Sequence, residues 1–160
     1  MGQLKRANKP IVSLNRGLLF ELRGIVRINR ASAKYDMKIP DALHGSRYDA
    51  RVGNKLDEFK SVSDIGKTYK IGEKRNKVNQ LLDYFGGINN IDDFSLTFDS
   101  KALPAGVDAV DEMKTDIENL RTHIFPRMSM ALRNDLEIMT LSDLNVSVIN
   151  NIVNKIVKVD

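Results

Sequence analysis

RYDARVGNKLDEFK, residues 47–60, decides the fold through the period assigned to its apolar residues. Tyr48, Val52, Leu56 and Phe59 fall on one face at helical spacing, which predicts a helix from Arg47 to Lys60 that Gly53 weakens. Upstream, residues 36–46 read as a loop around Pro40 and Gly45. Before that loop, Ser13 is a suitable N-cap for a helix reaching about Lys34, with Leu14, Leu18, Leu22, Ile25 and Val26 as its apolar set. Gly17 and Gly24 each cost such a helix about 1 kcal/mol relative to Ala, or mark places where another chain segment comes close. Residues 1–12 form a basic arm with Lys5, Arg6 and Lys9.

Downstream, residues 63–72 carry no clear period. Glu73 to Phe85 reads as a helix burying Val78, Leu81, Leu82 and Phe85, stopped by Gly86 and Gly87. Residues 87–106 are rich in turn chemistry, and within them Phe94, Leu96 and Phe98 alternate with Ser95 and Thr97 as a short strand does. From Val107 the chain becomes helical again, broken at Pro126, with further helices over 127–139 and after Ser142 or Asp143. Pairs Val148-Ile149, Ile152-Val153 and Ile156-Val157 alternate with polar pairs, a helical period despite their β-branched side chains. The expected fold is therefore mainly α: a bundle of five or six helices with at most one short strand or hairpin near residues 94–98. Residues 13–160 would form one domain, or two lobes (13–86 basic, 107–160 acidic) joined by 87–106.

Charge follows the same division. The formal charge of the 160 residues is +4, but residues 1–80 carry a net +10 and residues 81–160 a net −6. Such polarity suits a basic surface for nucleic acid or for an acidic protein partner. Cysteine is absent, which removes disulfides, thiolate metal sites and thiol nucleophiles and accords with a reducing compartment. No apolar run approaches the roughly 18 residues of a membrane helix. The expected location is the cytoplasm or the interior of a viral particle, with no membrane partner.

The sharpest pattern is Arg16, Arg23, Arg27, Arg30 and Lys34. At about 100° per residue they form one stripe within about 40° of Arg16, opposite Leu18, Leu22 and Ile25. Guanidinium groups bind phosphate or carboxylate bidentately, and only Glu21 is acidic among residues 13–34. A second basic cluster comprises Lys67, Lys70, Lys74, Arg75 and Lys77. The near-heptad stripe Val110, Ile117 and Ile124, with Ile149, Ile152 and Ile156 of the last helix, could pack between copies.

Three weaker patterns favour their plainer readings. Gly66-Lys67-Thr68 matches the end of a phosphate-binding loop, but Ser61 replaces the first glycine and no buried strand precedes it. Asp108, Glu112 and Asp116 at four-residue spacing could share a face that holds Mg²⁺, though such rows usually serve the helix N-terminus. Residues 140–147 resemble the turn of a helix-turn-helix in outline, without its glycine or a basic recognition helix. His44 and His123 stand alone, and no nucleophile elbow is present. The sequence thus predicts a non-enzymatic binding or assembly protein without cofactor, whose basic half contacts nucleic acid or an acidic partner. The alternatives are a structural subunit of a viral or phage particle, and a small nucleotide-binding protein using Gly66-Lys67-Thr68.

Overall fold

In the structure, a computed structural model that describes residues 16–28 and 32–160, residues 47–60 form a β-hairpin and not a helix. Arg47–Val52 (β2) and Lys55–Lys60 (β3) pair antiparallel, with Ala50 opposite Asp57 and Val52 opposite Lys55. Gly53 and Asn54 make the two-residue turn. Gly53 lies at φ +61°, a left-handed conformation that glycine adopts freely and hairpin turns require. The helical match of four apolar residues was outweighed by this turn dipeptide, because a hairpin buries Tyr48, Ala50 and Leu56 together with its neighbours.

The mainly α bundle is therefore replaced by an α/β fold around a five-stranded mixed sheet. Lys34–Lys38 (β1) pairs antiparallel with β2, so Lys34 begins a strand and does not end a helix. The first helix (α1) occupies residues 16–28. Phe94–Phe98 (β4) forms the expected strand, but it lies between β3 and Val157–Val159 (β5), parallel to both. Strand order is β1-β2-β3-β4-β5, and β2 alone runs against the rest.

Parallel neighbours need crossovers, and helices supply them. Ile65–Thr68 (α2) and Val78–Gly87 (α3) connect β3 to β4. The α3 helix begins at Val78 and not at Glu73, since residues 70–77 make turns. Ala109–Arg127 (α4), Met130–Asp135 (α5) and Val146–Ile156 (α6) connect β4 to β5. The α4 helix runs one residue past Pro126, and Asn145, whose side chain accepts from the Val148 N–H, caps α6. On α3, Tyr84 stacks on Phe94 with ring centroids 4.3 Å apart, while Phe85 meets the same ring edge-on. Met113, Ile117, Leu120 and Ile124 of α4 join Ile149, Ile152 and Ile156 of α6 in the core. On the other side, Phe20 of α1 packs edge-on against Phe59 at 6.2 Å. Helices thus lie on both faces of the sheet.

Asp83, fully buried on α3, fixes the loop that enters β2. It accepts the backbone N–H groups of Leu43 (3.1 Å), His44 (3.3 Å) and Ser46 (3.3 Å), and Arg127 donates to it at 3.2 Å. The leading segment 1–12, Ser13 and Arg30 lie outside the described residues.

Candidate active site

Alternation along β3 sends Leu56, Glu58 and Lys60 to the face covered by α3, opposite to Asp57 and Phe59. Glu58 is 2% exposed, and its carboxylate is fully engaged. Tyr84 donates its hydroxyl to Oε2, and Lys60 forms an ion pair with Oε1. Gln80 Nε2 donates to Oε1 at 3.0 Å, while Lys60 Nζ donates to Gln80 Oε1 at 3.1 Å. Gln80 and Tyr84 stand four residues apart on α3, hence on one face. Gln80 also reaches back to the carbonyl of Arg47 at 3.2 Å, tying α3 to the hairpin. Burial pushes the Tyr84 hydroxyl well above its ordinary pKa, and Glu58 adds to the effect, so Tyr84 remains a donor.

The β2–β3 ladder ends with Ala50 opposite Asp57, and Asp49 lies one residue beyond, where its side chain takes the place of a strand carbonyl. Asp49 Oδ2 accepts the Phe59 N–H at 2.7 Å, and no described residue donates to Oδ1. Burial, reinforced by the charge of Glu58, pushes Asp49 up to about 7; Phe59 and Lys60 act against that rise, and Glu21 adds to it. Glu21 of α1 is half-buried, and its acidity is weakened by burial and then by Glu58. Glu21, Asp49 and Glu58 thus feel one another's charge, although α1 packs on the face of the sheet opposite to Glu58 and Lys60. Among the described residues, no three His, Cys, Asp or Glu side chains are grouped so that they could hold a metal ion.

The basic residues expected from the sequence do not gather at this site. Arg16, Arg23 and Arg27 are exposed on α1, the helix that carries Glu21, and Arg27 pairs with Asp160. The face of α1 expected to be buried is instead open: Leu18, Leu22 and Val26 are 46–71% exposed, and Phe20 and Gly24 make the contact with the sheet. Lys34 belongs to β1 and so leaves the helical stripe. Lys67, Lys74 and Arg75 line one shallow cavity of about 320 Å³ with Thr68 and Glu73. Lys70 and Lys77 are exposed, and Lys77 lies three residues before Gln80. Lys67 Nζ stands 3.6 Å from Asp64.

The proposed association stripe lies within the protein's own core. Ile117, Ile124, Ile149, Ile152 and Ile156 are at most 2% exposed, and Val110 packs against the same cluster. Gly66-Lys67-Thr68 forms α2, a single turn; its Lys67 N–H and Thr68 hydroxyl go to the side chain and carbonyl of Asp64, respectively. Asp108 caps α4 by accepting from Val110 (2.8 Å) and Asp111 (3.3 Å). His44 is exposed, its backbone N–H bound to Asp83, and His123 is exposed beside Thr122.

Asp49, Glu58, Lys60, Gln80 and Tyr84 escaped the sequence reading. The signal was the Gly53-Asn54 turn: once the stretch folds back there, residues 58 and 60 fall on one face of β3 and Asp49 comes to lie on the adjoining strand. Comparison with known protein families, with curated proteins and with solved structures gives no match for this chain. Among the described residues no helix is long and apolar enough to cross a membrane.

Proposed function

We propose that this protein is a divalent-cation-dependent phosphodiester hydrolase acting on nucleic acid, with Asp49 as the cation ligand, Glu58 as the carboxylate that positions Lys60, and Lys60 as the charge facing the scissile phosphate. The observation that carries the reading is the buried Glu58–Lys60–Gln80 cluster on β3 and α3, with Asp49 on the adjoining strand held by the Phe59 N–H. A network serving only to hold the hairpin would be poorly built. Buried ion pairs contribute little net stability, and crowding two further carboxylates beside one lysine costs more still. Opposed charges held in a partly desolvated site are what charge chemistry needs.

The donor set suits Mg²⁺. It takes hard oxygen ligands, commonly one or two carboxylates completed by water and substrate phosphate, so a closed protein cage is not required. Once bound, such a cation polarises a phosphoryl oxygen and makes a bound water more acidic. Asp49 has the uncommitted oxygen Oδ1, and the Phe59 N–H fixes its orientation. Lys60 presents an ammonium whose position is set by Glu58 and Gln80, and it would offset charge developing on the phosphate. Gln80 and Tyr84 act through Glu58 as positioning residues. Arg47 on β2 and Lys77, which precedes α3, are exposed basic groups on the segments that build the site; such groups engage the phosphate backbone regardless of sequence.

The test incubates the full chain with plasmid DNA, single-stranded DNA and RNA, with Mg²⁺ or with chelator. Cleavage of at least one polymer should require Mg²⁺ and fall about 10²–10⁴-fold in Asp49→Asn and in Lys60→Ala. Unchanged cleavage in both variants would remove these residues from the mechanism. Salt-sensitive binding without cleavage of any substrate would return the protein to the non-enzymatic reading, with the arginines of α1 as its contact surface.

A further inference from the structure

A second group of carboxylates lies away from the hairpin, where α2 meets the middle of α4. A cavity of about 510 Å³ opens there, lined in part by Asp64, Gly66, Tyr69, Glu112, Asp116 and Leu120. Asp116 is 7% exposed, and its Oδ2 is buried with no hydrogen-bond partner. A buried acceptor without a donor costs about 1–3 kcal/mol, more when charged, so its retention here calls for an explanation. Glu112 sits one turn before it on α4, and Asp64 caps α2 across the cavity. A methyl group added at Gly66 would stand 3.7 Å from both Asp64 Oδ1 and Glu112 Oε2, so these two oxygens flank the same open space. Burial and then the charges of Glu112 and Asp64 push Asp116 up to about 6. The three groups therefore sense one another.

We infer that this cavity binds a small organic cation, an ammonium group on an apolar body. The space falls in the range that encloses small molecules, about 300–1,000 Å³, and exceeds what a bare ion fills. A single metal ion would need oxygens converging at about 2.3–2.6 Å, and these side chains form no such cage. Several N–H donors on one nitrogen, by contrast, can reach acceptors on different elements. Leu120 and the buried Tyr69 give the methylene body an apolar wall. Lys67 and Lys70 line the rim and are both exposed; Lys67 pairs with Asp64 and does not reach Asp116. The carboxylates exclude a phosphate ligand from this place, since like charges repel and the Lys67 N–H is already bound to Asp64. The site is independent of the hydrolase reading, because it shares no residue with the Asp49–Glu58–Lys60 group.

The experiment is calorimetric titration of the full chain at pH 7.5, without nucleic acid or Mg²⁺, using n-butylammonium, 1,4-diaminobutane and tetramethylammonium. Saturable one-site binding is expected for at least one of the two primary amines. Tetramethylammonium, which has charge but no N–H, should bind at least tenfold more weakly. Asp116→Asn should weaken amine binding about tenfold or more, the loss of a charge-assisted hydrogen bond. Absence of saturable binding for both primary amines overturns the inference, as does equal affinity in Asp116→Asn or for tetramethylammonium. Should Asp116→Asn fail to fold by circular dichroism, Glu112→Gln replaces it: a severalfold loss supports the site, and unchanged affinity overturns it.

Discussion

Glu58 and Asp116 are buried to a similar degree, 2% and 7% exposed, yet their surroundings differ in kind. Glu58 receives donors from its own strand and from α3 on both oxygens. Asp116 leaves one oxygen with none. A carboxylate saturated in this way is fixed and serves as a reference point for its neighbours. One left bare keeps capacity for a ligand at the expense of the unliganded fold. Burial alone therefore does not define a site; the donors around the charge do.

The contrast is broken most directly by removing each carboxylate. Glu58→Leu should destabilise the protein by about 3–5 kcal/mol, because it strands Lys60, whose side chain is 13% exposed, without its counter-ion. Urea denaturation followed by circular dichroism measures this. A loss under about 1 kcal/mol would mean that Lys60 is not held by Glu58. Folding in this variant is at risk, so Tyr84→Phe, which removes one donor and keeps the ring stack on Phe94, offers a milder version costing about 1 kcal/mol.

Acidity sharpens the comparison next. Asp49 titrates in the folded state at about 7 against 3.8 ordinarily. Its folded pKa is raised, so its contribution to stability is fully present below the unfolded value and is lost as pH rises through about 7. Across that window the effect is on the order of 2–4 kcal/mol. Melting temperatures of wild type and Asp49→Asn, recorded from pH 4 to 8, should therefore diverge in slope, with the variant flatter. Parallel curves would show that Asp49 is not confined beside Glu58. A smaller effect of the same sign is expected for Asp116, centred near 6.

Removing the bare carboxylate should have the opposite sign from removing the saturated one. Asp116→Leu replaces an acceptor without a donor by apolar volume next to Leu120. It should stabilise the unliganded protein by about 1–3 kcal/mol at pH 7.5. Destabilisation of that size in the same denaturation series would mean that Asp116 has a partner in solution after all.

How much of this was legible follows from the period of each segment. The last helix and the 94–98 strand could be read because each has one consistent pattern, apolar pairs every fourth residue in one and strict alternation in the other. Residues 47–60 satisfy two periods. Tyr48, Val52, Leu56 and Phe59 fit a helix, while Gly53-Asn54 divides the same stretch into strands with charged residues facing the helix layer. Charges at 49, 58 and 60 count as solvent-facing in any hydrophobicity pattern, so a buried, donor-saturated Glu58 looks like surface. Its partners Gln80 and Tyr84 lie more than 20 residues away, and only the crossover through α3 brings them back. The basic clusters were visible as charge, but their relation to a site was not, because no site could be assembled while the hairpin read as a rod. On α1 the contact residues Phe20 and Gly24 lie off the apolar stripe, which remains exposed.

Gly24 offers the smallest and most discriminating test of that helix. A Cβ there would fall 2.4–2.6 Å from ring atoms of Phe59, the residue between Glu58 and Lys60. In a free helix, Gly→Ala gains about 1 kcal/mol. Here the gain is opposed by an overlap costing about 1–3 kcal/mol, toward the low end because a half-buried ring can shift. Gly24→Ala should then be neutral to slightly destabilising, by about 1 kcal/mol at most. Gly17→Ala, whose Cβ meets nothing within 4 Å, should stabilise by about 0.5–1 kcal/mol. Because Glu21 lies one turn before Gly24, displacing α1 should also lower Mg²⁺-dependent cleavage in Gly24→Ala while Gly17→Ala cleaves as wild type. If the two alanines stabilise equally and cleave equally, α1 does not rest on Phe59 and Glu21 has no place among the carboxylates of the hairpin.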